Sequence, residues 1–247
     1  MGRGVADTGC REETCVGHGC GVREDGERDV SDETVTPGRH TATASSAQPD
    51  VLTPLLRERE SVMIYDRTHV LSTPALRAIL EAARWAPSAG NSQPWGFIVG
   101  LRGDETHAAM VEVLSSANQV WAPAASAIIL TLHQVATDED HEIAYSDYAM
   151  FDLGQAVAHI TVQARSMGLQ VRQFGGFDHR AAAERFDVPP HWAVTTGIAL
   201  GLPAEAGADD ALPEWLRARS RLPRSRLPLE AFVHSGKFGH AADFLTD

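Results

Sequence analysis

The chain of 247 residues has few of the features that mark secreted, membrane-spanning or nucleic-acid-binding proteins. Its three cysteines, Cys10, Cys15 and Cys20, all lie near the N-terminus, so no disulfide framework holds a core, as is usual in the cytoplasm. No apolar run approaches the roughly 20 residues of a membrane span, and none near the N-terminus predicts a secretory signal. The formal net charge of −12 argues against a nucleic-acid binder, because neutralising phosphates requires clustered Lys and Arg.

Residues 1–50 contain no Leu, Ile, Phe, Tyr or Trp and are rich in Gly, Asp, Glu, Ser and Thr. Such a segment buries too little apolar area to offset its ordering entropy, which predicts a disordered tail; an over-extended reading frame is the alternative. The three cysteines and His18 are zinc-ligand types, but their spacing, C-x4-C-x2-H-x-C, matches no common zinc pattern. We therefore predict no metal site, and we assign residues 51–247 to one folded domain.

Apolar periodicity after residue 50 predicts a mixture of helices and strands. Helices are predicted over 51–60, from an N-cap at Thr73 to just before Pro87, and over 104–115, 145–167 and 178–186. Strands are predicted over 95–99, 125–133, 169–174 and 193–201. This order is typical of an α+β or three-layer sandwich fold. The long 145–167 helix carries an apolar stripe, from Met150 to Met167, for packing within the subunit or at a dimer interface.

The stretch RWAPSAGNSQPW links a predicted helix to a predicted strand with small, uncharged residues. Ser88, Asn91 and Gln93 offer hydrogen bonds, while Ala89 and Gly90 allow close approach. This combination suits a polyol or the edge of a heterocycle better than a bare anion. An ordinary turn, in which Asn and Ser satisfy the local backbone, is the alternative interpretation.

Two further stretches carry phosphate-binding residue types. In RESVMIYD, Arg59 and Ser61 alternate along an extended segment and therefore point to the same side. In LPRSRLPLE, Arg224 and Arg226 have the same spacing between two prolines. A guanidinium and a hydroxyl are both good ligands for phosphate oxygens. Solvated surface arginines and a charged tail are the alternative interpretations.

The stretch QFGGFD ends a predicted strand with Gly175 and Gly176, which would let a flat ring lie directly on the backbone. A tight strand-to-helix turn is the alternative. The chain has no Gly-x-Gly-x-x-Gly motif after a strand, which argues against a dedicated dinucleotide-binding domain. It also has no Ser-His-Asp order with a nucleophile elbow.

Together these stretches resemble the FMN-dependent nitroreductase family over most of residues 55–235. APSAGNSQPW looks like that family's Pro-Ser-x-x-Asn-x-Gln-Pro-Trp segment, RESV resembles its Arg-x-Ser flavin-phosphate segment, and PRSRLP resembles its late phosphate-binding pair. QFGGFD stands where the family places a backbone N–H opposite flavin N5. The resemblance implies a three-layer α-β-α fold with a mostly antiparallel central sheet. It also implies an intertwined homodimer in which APSAGNSQPW reaches a flavin bound mainly by the other subunit.

The cofactor-binding residues that the resemblance implies are Arg59, Glu60, Ser61, Met63, Pro87, Ser88, Ala89, Asn91, Asn118, Gly175, Gly176, Arg224 and Arg226. No side chain is assigned as a nucleophile or general base. Met63 departs from the family, which usually has a Lys or Arg there, and this leaves the redox potential open. Gly175 replaces a Glu found beside N5 in many members. The short segment 133–145 implies a reduced or missing lid.

The resemblance implies an FMN-dependent NAD(P)H oxidoreductase that reduces nitroaromatic, quinone or related small acceptors. Hydride would pass through flavin N5 in a ping-pong scheme, with NADPH or NADH as the transient donor. One alternative is a flavin-dependent oxidase or dehydrogenase of a small metabolite, and another is a non-catalytic flavin-binding protein. We expect a cytoplasmic homodimer with a small-molecule acceptor and with neither nucleic acid nor membrane as a partner.

Overall fold

The computed structural model describes residues 51–138, 140, 143–205 and 212–245. The tail predicted over residues 1–50, with its cysteines and His18, lies outside the described residues. The helices are α1 (Pro54–Arg57), α2 (Thr73–Arg84), α3 (Glu105–Val113), α4 (Ser116–Gln119), α5 (Ala149–Ser166), α6 (His179–Arg185) and α7 (Glu214–Ser220). The strands are β1 (Trp95–Leu101), β2 (Ala127–Gln134), β3 (Gln170–Phe174) and β4 (Trp192–Gly201).

The four strands form one sheet in the order β1-β2-β4-β3, and every neighbouring pair is antiparallel. Successive residues of the central strand β2 point to opposite faces, as the pleat requires. Ile128 and Leu130 join a core cluster with Met110 of α3. Ile129 joins a second cluster with Ile160 of α5. The sheet is therefore the middle layer of three, which confirms the predicted α+β, α-β-α architecture and its antiparallel sheet.

Burial on both faces explains why β2 reads as a continuous apolar run. Its residues from Ala127 to Leu130 are fully buried, because helices cover the sheet on both sides. By contrast, β1, which was predicted to be a buried strand, is only half-buried along most of its length. Its position at the edge of the sheet is the physical reason, since only one neighbouring strand shields it.

The helix ends differ from the predicted ones where local polar groups decide them. The N-cap of α2 is Ser72, whose Oγ accepts from the Ala75 N–H at 3.3 Å, so the prediction of Thr73 was wrong by one residue.

Helix α1 has four residues, and the chain continues beyond it as the segment that carries Arg59. Helix α7 was not predicted from the sequence. It is anchored by Leu216, which is fully buried.

Helix α5 begins at Ala149, a turn later than predicted, and Gly168 closes it with φ +80°. The middle of the predicted stripe, including Leu153 and Ile160, is buried against the sheet. Its two ends are not, because Met150 and Met167 are exposed. No helix among the described residues is long and apolar enough to cross a membrane.

Candidate functional site

A groove of about 810 Å³ lies along the β3 edge of the sheet. Its cationic lining consists of Arg59, Arg172, Arg219, Arg221, Arg224 and Arg226. The carboxylates in the lining are those of Glu60 and Glu205. We call this the arginine groove. Because the whole chain has a formal charge of −12, the concentration of guanidinium groups here is local and favours an anionic ligand.

The arginine groove brings together Arg59, Ser61 and Arg224, the residues that the family resemblance assigned to the flavin phosphate. The Arg59 Nη1 donates to Ser61 Oγ at 3.0 Å. The Arg224 guanidinium donates to the carbonyl oxygens of Arg59 at 2.8 Å and Arg57 at 2.7 Å, so it also ties the C-terminal segment to the end of α1. Burial, together with the charges of Arg226 and Arg224, lowers the pKa of Arg59. The smaller part of this effect, which comes from Arg226 and Arg224, reflects cations held close together, an arrangement that a bound anion stabilises.

The other predicted residues of this groove contribute differently. Arg226 is exposed, and its Nη1 donates to the adjacent Ser225 carbonyl at 2.7 Å. The Glu60 N–H donates to Gln170 Oε1 at 3.2 Å, which fixes the backbone of the segment. Met63 is only 4% exposed and packs in the core cluster beneath the groove. Its side chain therefore brings no charge to the groove.

Gly175 and Gly176 follow β3 and form an exposed turn, which we call the glycine turn. The Gly176 carbonyl accepts from the Ser115 N–H at 3.0 Å and from Asn118 Nδ2 at 2.8 Å. A Cβ on Gly176 would lie 2.7 Å from Asn118 Nδ2, so any larger residue would displace the Asn118 side chain. Among the described residues, neither glycine N–H donates a hydrogen bond. The turn therefore presents two backbone donors to whatever lies beside it.

Asn118 supports the glycine turn instead of projecting freely. Its Nδ2 holds the Gly176 carbonyl, and its Oδ1 accepts from Trp121 Nε1 at 3.0 Å. Both ends of the amide are thus engaged within the subunit. The sequence predicted that Asn118 lies near the site. Its role as a bridge between the turn and a buried tryptophan required the structure.

Residues 87–93, here called the Pro-Ser loop, have a constrained backbone. The Gln93 N–H donates to Ser88 Oγ at 3.0 Å, and the Ala89 N–H donates to Asp152 Oδ2 at 3.0 Å. Asn91 and Gln93 have φ of +58° and +50°. Left-handed backbone at residues other than glycine costs on the order of 1–3 kcal/mol and is concentrated at functional segments. The ordinary-turn interpretation accounts for the Ser88 contact and for the left-handed Asn91, because Asn adopts this conformation readily in turns, whereas the left-handed Gln93 is less usual there.

Within one subunit, the Pro-Ser loop lines a different pocket from the arginine groove. Pro87, Ser88 and Ala89 border a cavity of about 290 Å³ beside the start of α5. Two side chains that line this cavity are large, apolar and exposed, with Tyr148 at 63% and Phe151 at 65%. Trp85, two residues before Pro87, is 72% exposed. Adjoining exposed apolar side chains such as Tyr148 and Phe151 are typical of surfaces that contact another molecule.

Arg172 and Trp121 belong to the site but were not identified from the sequence. The Arg172 Nη1 donates to the Ser61 carbonyl at 2.7 Å, and its guanidinium lies over the Trp121 ring at 5.3 Å. An arginine in the middle of a short strand was the only available signal. Its partners lie on segments far away in the chain, so the pattern around it could not reveal them.

Comparisons with known proteins agree with this fold. The model described as the nitroreductase family matches residues 56–202. An uncharacterised 15.4 kDa protein of Mycolicibacterium smegmatis is 38% identical over 154 residues, which are 58% of this chain and 97% of that relative. A second relative, from Archaeoglobus fulgidus, is described as an NADH dehydrogenase or NAD(P)H nitroreductase. It is 29% identical to this chain over 157 residues, which are 61% of this chain and 84% of the relative.

A solved structure described as an oxidoreductase containing FMN has a TM-score of 0.71 to this chain and 30% identity. The match covers 80% of this chain and 99% of that one. Because the family model spans more than half of the sequence, the chain belongs to the nitroreductase family. The predicted family is thereby confirmed.

Proposed function

We propose that this chain passes hydride from NADPH or NADH to small oxidised acceptors through bound FMN. As a member of the nitroreductase family, it is an FMN-dependent oxidoreductase. The observation that carries the proposal is that a groove lined with arginines lies along the same edge of the fold as two backbone N–H groups with no acceptor among the described residues. Contacts through Arg172, Trp121 and Asn118 connect them.

The arginine groove fits the phosphate end of FMN. Arg59 and Ser61 present a guanidinium and a hydroxyl that already lie 3.0 Å apart, and Arg226 adds an exposed cation. Charge-assisted hydrogen bonds from guanidinium to phosphate are about twice as strong as neutral ones. Arg224 acts at this end mainly by fixing the backbone of residues 57–59, since its guanidinium donates to two carbonyls there.

The glycine turn fits the ring end of FMN. Bound FMN supplies the two-electron chemistry, and the protein supplies its binding and orientation. The N–H groups of Gly175 and Gly176 would donate to the ring beside N5, because both residues are exposed and neither N–H has an acceptor among the described residues. Asn118 holds the turn in place through the Gly176 carbonyl. We assign no side chain as a nucleophile or general base.

We further propose that the working unit is a homodimer. Within one subunit the Pro-Ser loop lies in a different pocket from the arginine groove, which leaves Ser88 and Asn91 without a flavin to contact. A second subunit that covers the exposed Trp85 and Phe151 would carry its loop to the first subunit's flavin. Sedimentation should then give a dimer mass, and a monomer that retains full FMN affinity would refute the arrangement.

The acceptors that we propose are nitroaromatic, quinone and related small molecules. The segment after β2 folds back directly, because the Thr137 N–H donates to the Ile143 carbonyl and the Tyr145 N–H to the Val135 carbonyl, each at 3.0 Å. This tight return supports the predicted reduction of the lid and an open face for acceptors. The cytoplasmic location inferred from the sequence stays a prediction.

The first experiment is a visible spectrum of the purified chain, followed by anaerobic addition of NADPH and then NADH. Oxidised flavin bands that either donor bleaches are the expected result, and reoxidation by a quinone or nitroaromatic completes the cycle. The variant Arg59→Gln should lose FMN, whereas Arg180→Gln, an exposed arginine paired with Glu184 on α6, should keep it. Flavin bands that stay oxidised would favour the oxidase or the flavin-binding alternative, and a colourless protein that ignores added FMN would refute the proposal.

A further inference from the structure

We infer that Arg172 is the cation that faces the ring of bound FMN and stabilises its reduced form. This inference rests on the proposed FMN site and assigns a role to a residue that the motifs do not include. Reduced FMN carries more negative charge on its ring than oxidised FMN. A fixed positive charge beside the ring therefore favours reduction, and protein groups near the ring tune cofactor electronics in this way.

Contacts on two sides hold the Arg172 guanidinium in place. Its Nη1 donates to the Ser61 carbonyl at 2.7 Å, and its guanidinium lies over the Trp121 ring at 5.3 Å. Arg219 is exposed on α7, and Arg59 and Arg224 are committed to the phosphate end. A charge that is fixed in position acts on a neighbouring group without first reorganising.

The position of Arg172 lies between the two ends of the site. Ser61 belongs to the phosphate end, while Trp121 is joined through Asn118 to the Gly176 carbonyl. Along β3 and into the glycine turn, Arg172 precedes Gly175 by three residues, which is about 10 Å at the rise of a strand. A flavin with its phosphate near Ser61 and its N5 near the turn would therefore span the stretch of the groove that Arg172 lines.

The charge of Arg172 has no carboxylate partner among the described residues. Burial lowers the pKa of Arg172, and the positive charge of Arg219 lowers it further, while the Tyr65 hydroxyl acts in the opposite direction. Met63, in the same groove, provides no charge. Burying a cation is costly where no carboxylate pairs with it, as holds for Arg172 over the part of the chain that the structure describes, and an anionic ring alongside would compensate that cost.

The decisive measurement is the reduction potential of bound FMN, by anaerobic dye equilibration, in the full chain and three variants. Arg172→Gln keeps an N–H donor for the Ser61 carbonyl but removes the charge, Arg172→Lys keeps the charge, and Arg180→Gln removes an exposed charge elsewhere. We expect Arg172→Gln to lower the ratio of reduced to oxidised FMN affinity by about tenfold, or about 30 mV for a two-electron couple. Arg172→Lys should retain most of the wild-type ratio, and Arg180→Gln should leave it unchanged.

The affinity for oxidised FMN separates this role from a structural one. If Arg172 only positions Ser61, both Arg172 variants will weaken oxidised FMN and leave the potential unchanged, which overturns the inference. An unchanged potential in Arg172→Gln with intact affinity overturns it as well, while the FMN site itself stands. If the wild-type chain binds no FMN, the proposed function fails and this inference fails with it.

Discussion

The glycine turn allows a sharp test, because its two neighbouring glycines face very different surroundings. An added Cβ on Gly176 would lie 2.7 Å from Asn118 Nδ2 and 2.9 Å from Ser115 Oγ. An added Cβ on Gly175 would meet nothing within 4 Å. Neither glycine has positive φ, so Ala is acceptable to the backbone at both positions. The substitutions Gly176→Ala and Gly175→Ala therefore differ mainly in what the new methyl group displaces.

The cost at Gly176 follows from the contacts that Asn118 must give up. Both crowded atoms are ends of side chains, so they can turn away without moving the backbone. Turning Asn118 breaks its bond to the Gly176 carbonyl and its bond from Trp121 Nε1. At about 0.5–1.5 kcal/mol for each hydrogen bond, Gly176→Ala should lower the free energy of unfolding by about 1–3 kcal/mol. Gly175→Ala should be neutral or stabilising by a few tenths, because it restricts the unfolded chain.

Thermal unfolding of the full chain freed of FMN measures this difference, because both glycines lie at the proposed flavin site and bound FMN would add its own stabilisation. For a domain of this size, 1 kcal/mol shifts Tm by about 2–4 °C, so Gly176→Ala should unfold several degrees below wild type. Gly175→Ala should unfold at or slightly above the wild-type temperature. Equal shifts in the two variants would refute the reasoning, because they would show that the Asn118 contacts do not support the turn.

Three further predictions address the loop, the core and α7. Ser88→Ala removes the acceptor for the Gln93 N–H and should destabilise the protein by about 1 kcal/mol in urea unfolding. Burial lowers the pKa of His107, so the unfolded chain binds more protons, and stability should rise with pH between the folded pKa and about 6.5. His107→Gln should flatten that rise in urea midpoints measured from pH 5 to 8. Leu216→Ala empties a fully buried position and should cost about 2–5 kcal/mol, whereas Leu222→Ala, at an exposed position, should cost little.

Each of these predictions has an outcome that contradicts it. An unchanged urea midpoint for Ser88→Ala would mean that the strained backbone of the Pro-Ser loop is held without that hydroxyl. An identical pH profile in His107→Gln would assign the pH dependence to other groups. Equal costs for Leu216→Ala and Leu222→Ala would show that α7 is not docked on the core.

The spacing of apolar residues along short stretches of the chain was enough to predict most of the helices and strands. The continuous apolar run of β2 and the spacing of Leu153 and Ile160 on α5 were read correctly because burial imposes a period on the sequence. Errors occurred where one hydrogen bond decides the outcome. Ser72 caps α2 because its Oγ accepts from the Ala75 N–H. The neighbouring Thr73 is also a residue type that favours the N-cap position, so the sequence alone does not distinguish the two.

The candidate site was predictable only where its residues are neighbours in the chain. Arg59 and Ser61, two residues apart in an extended segment, were expected to meet and do meet. Arg172 was missed because its carbonyl partner, Ser61, is 111 residues away in the sequence. No local pattern encodes a contact of that separation, since it exists only after β3 has joined the sheet.

The sequence by itself determined the layers, the family and the residue types that suit a phosphate and a flat ring. Those properties depend on periodicity and on short motifs, which a chain displays without folding. The tertiary structure alone decided that Asn118 bridges Gly176 and Trp121, and that Met150 faces outward. It also decided that an arginine from β3 reaches the groove beside Met63. Each of these depends on packing between distant segments, whose geometry is set by the whole fold.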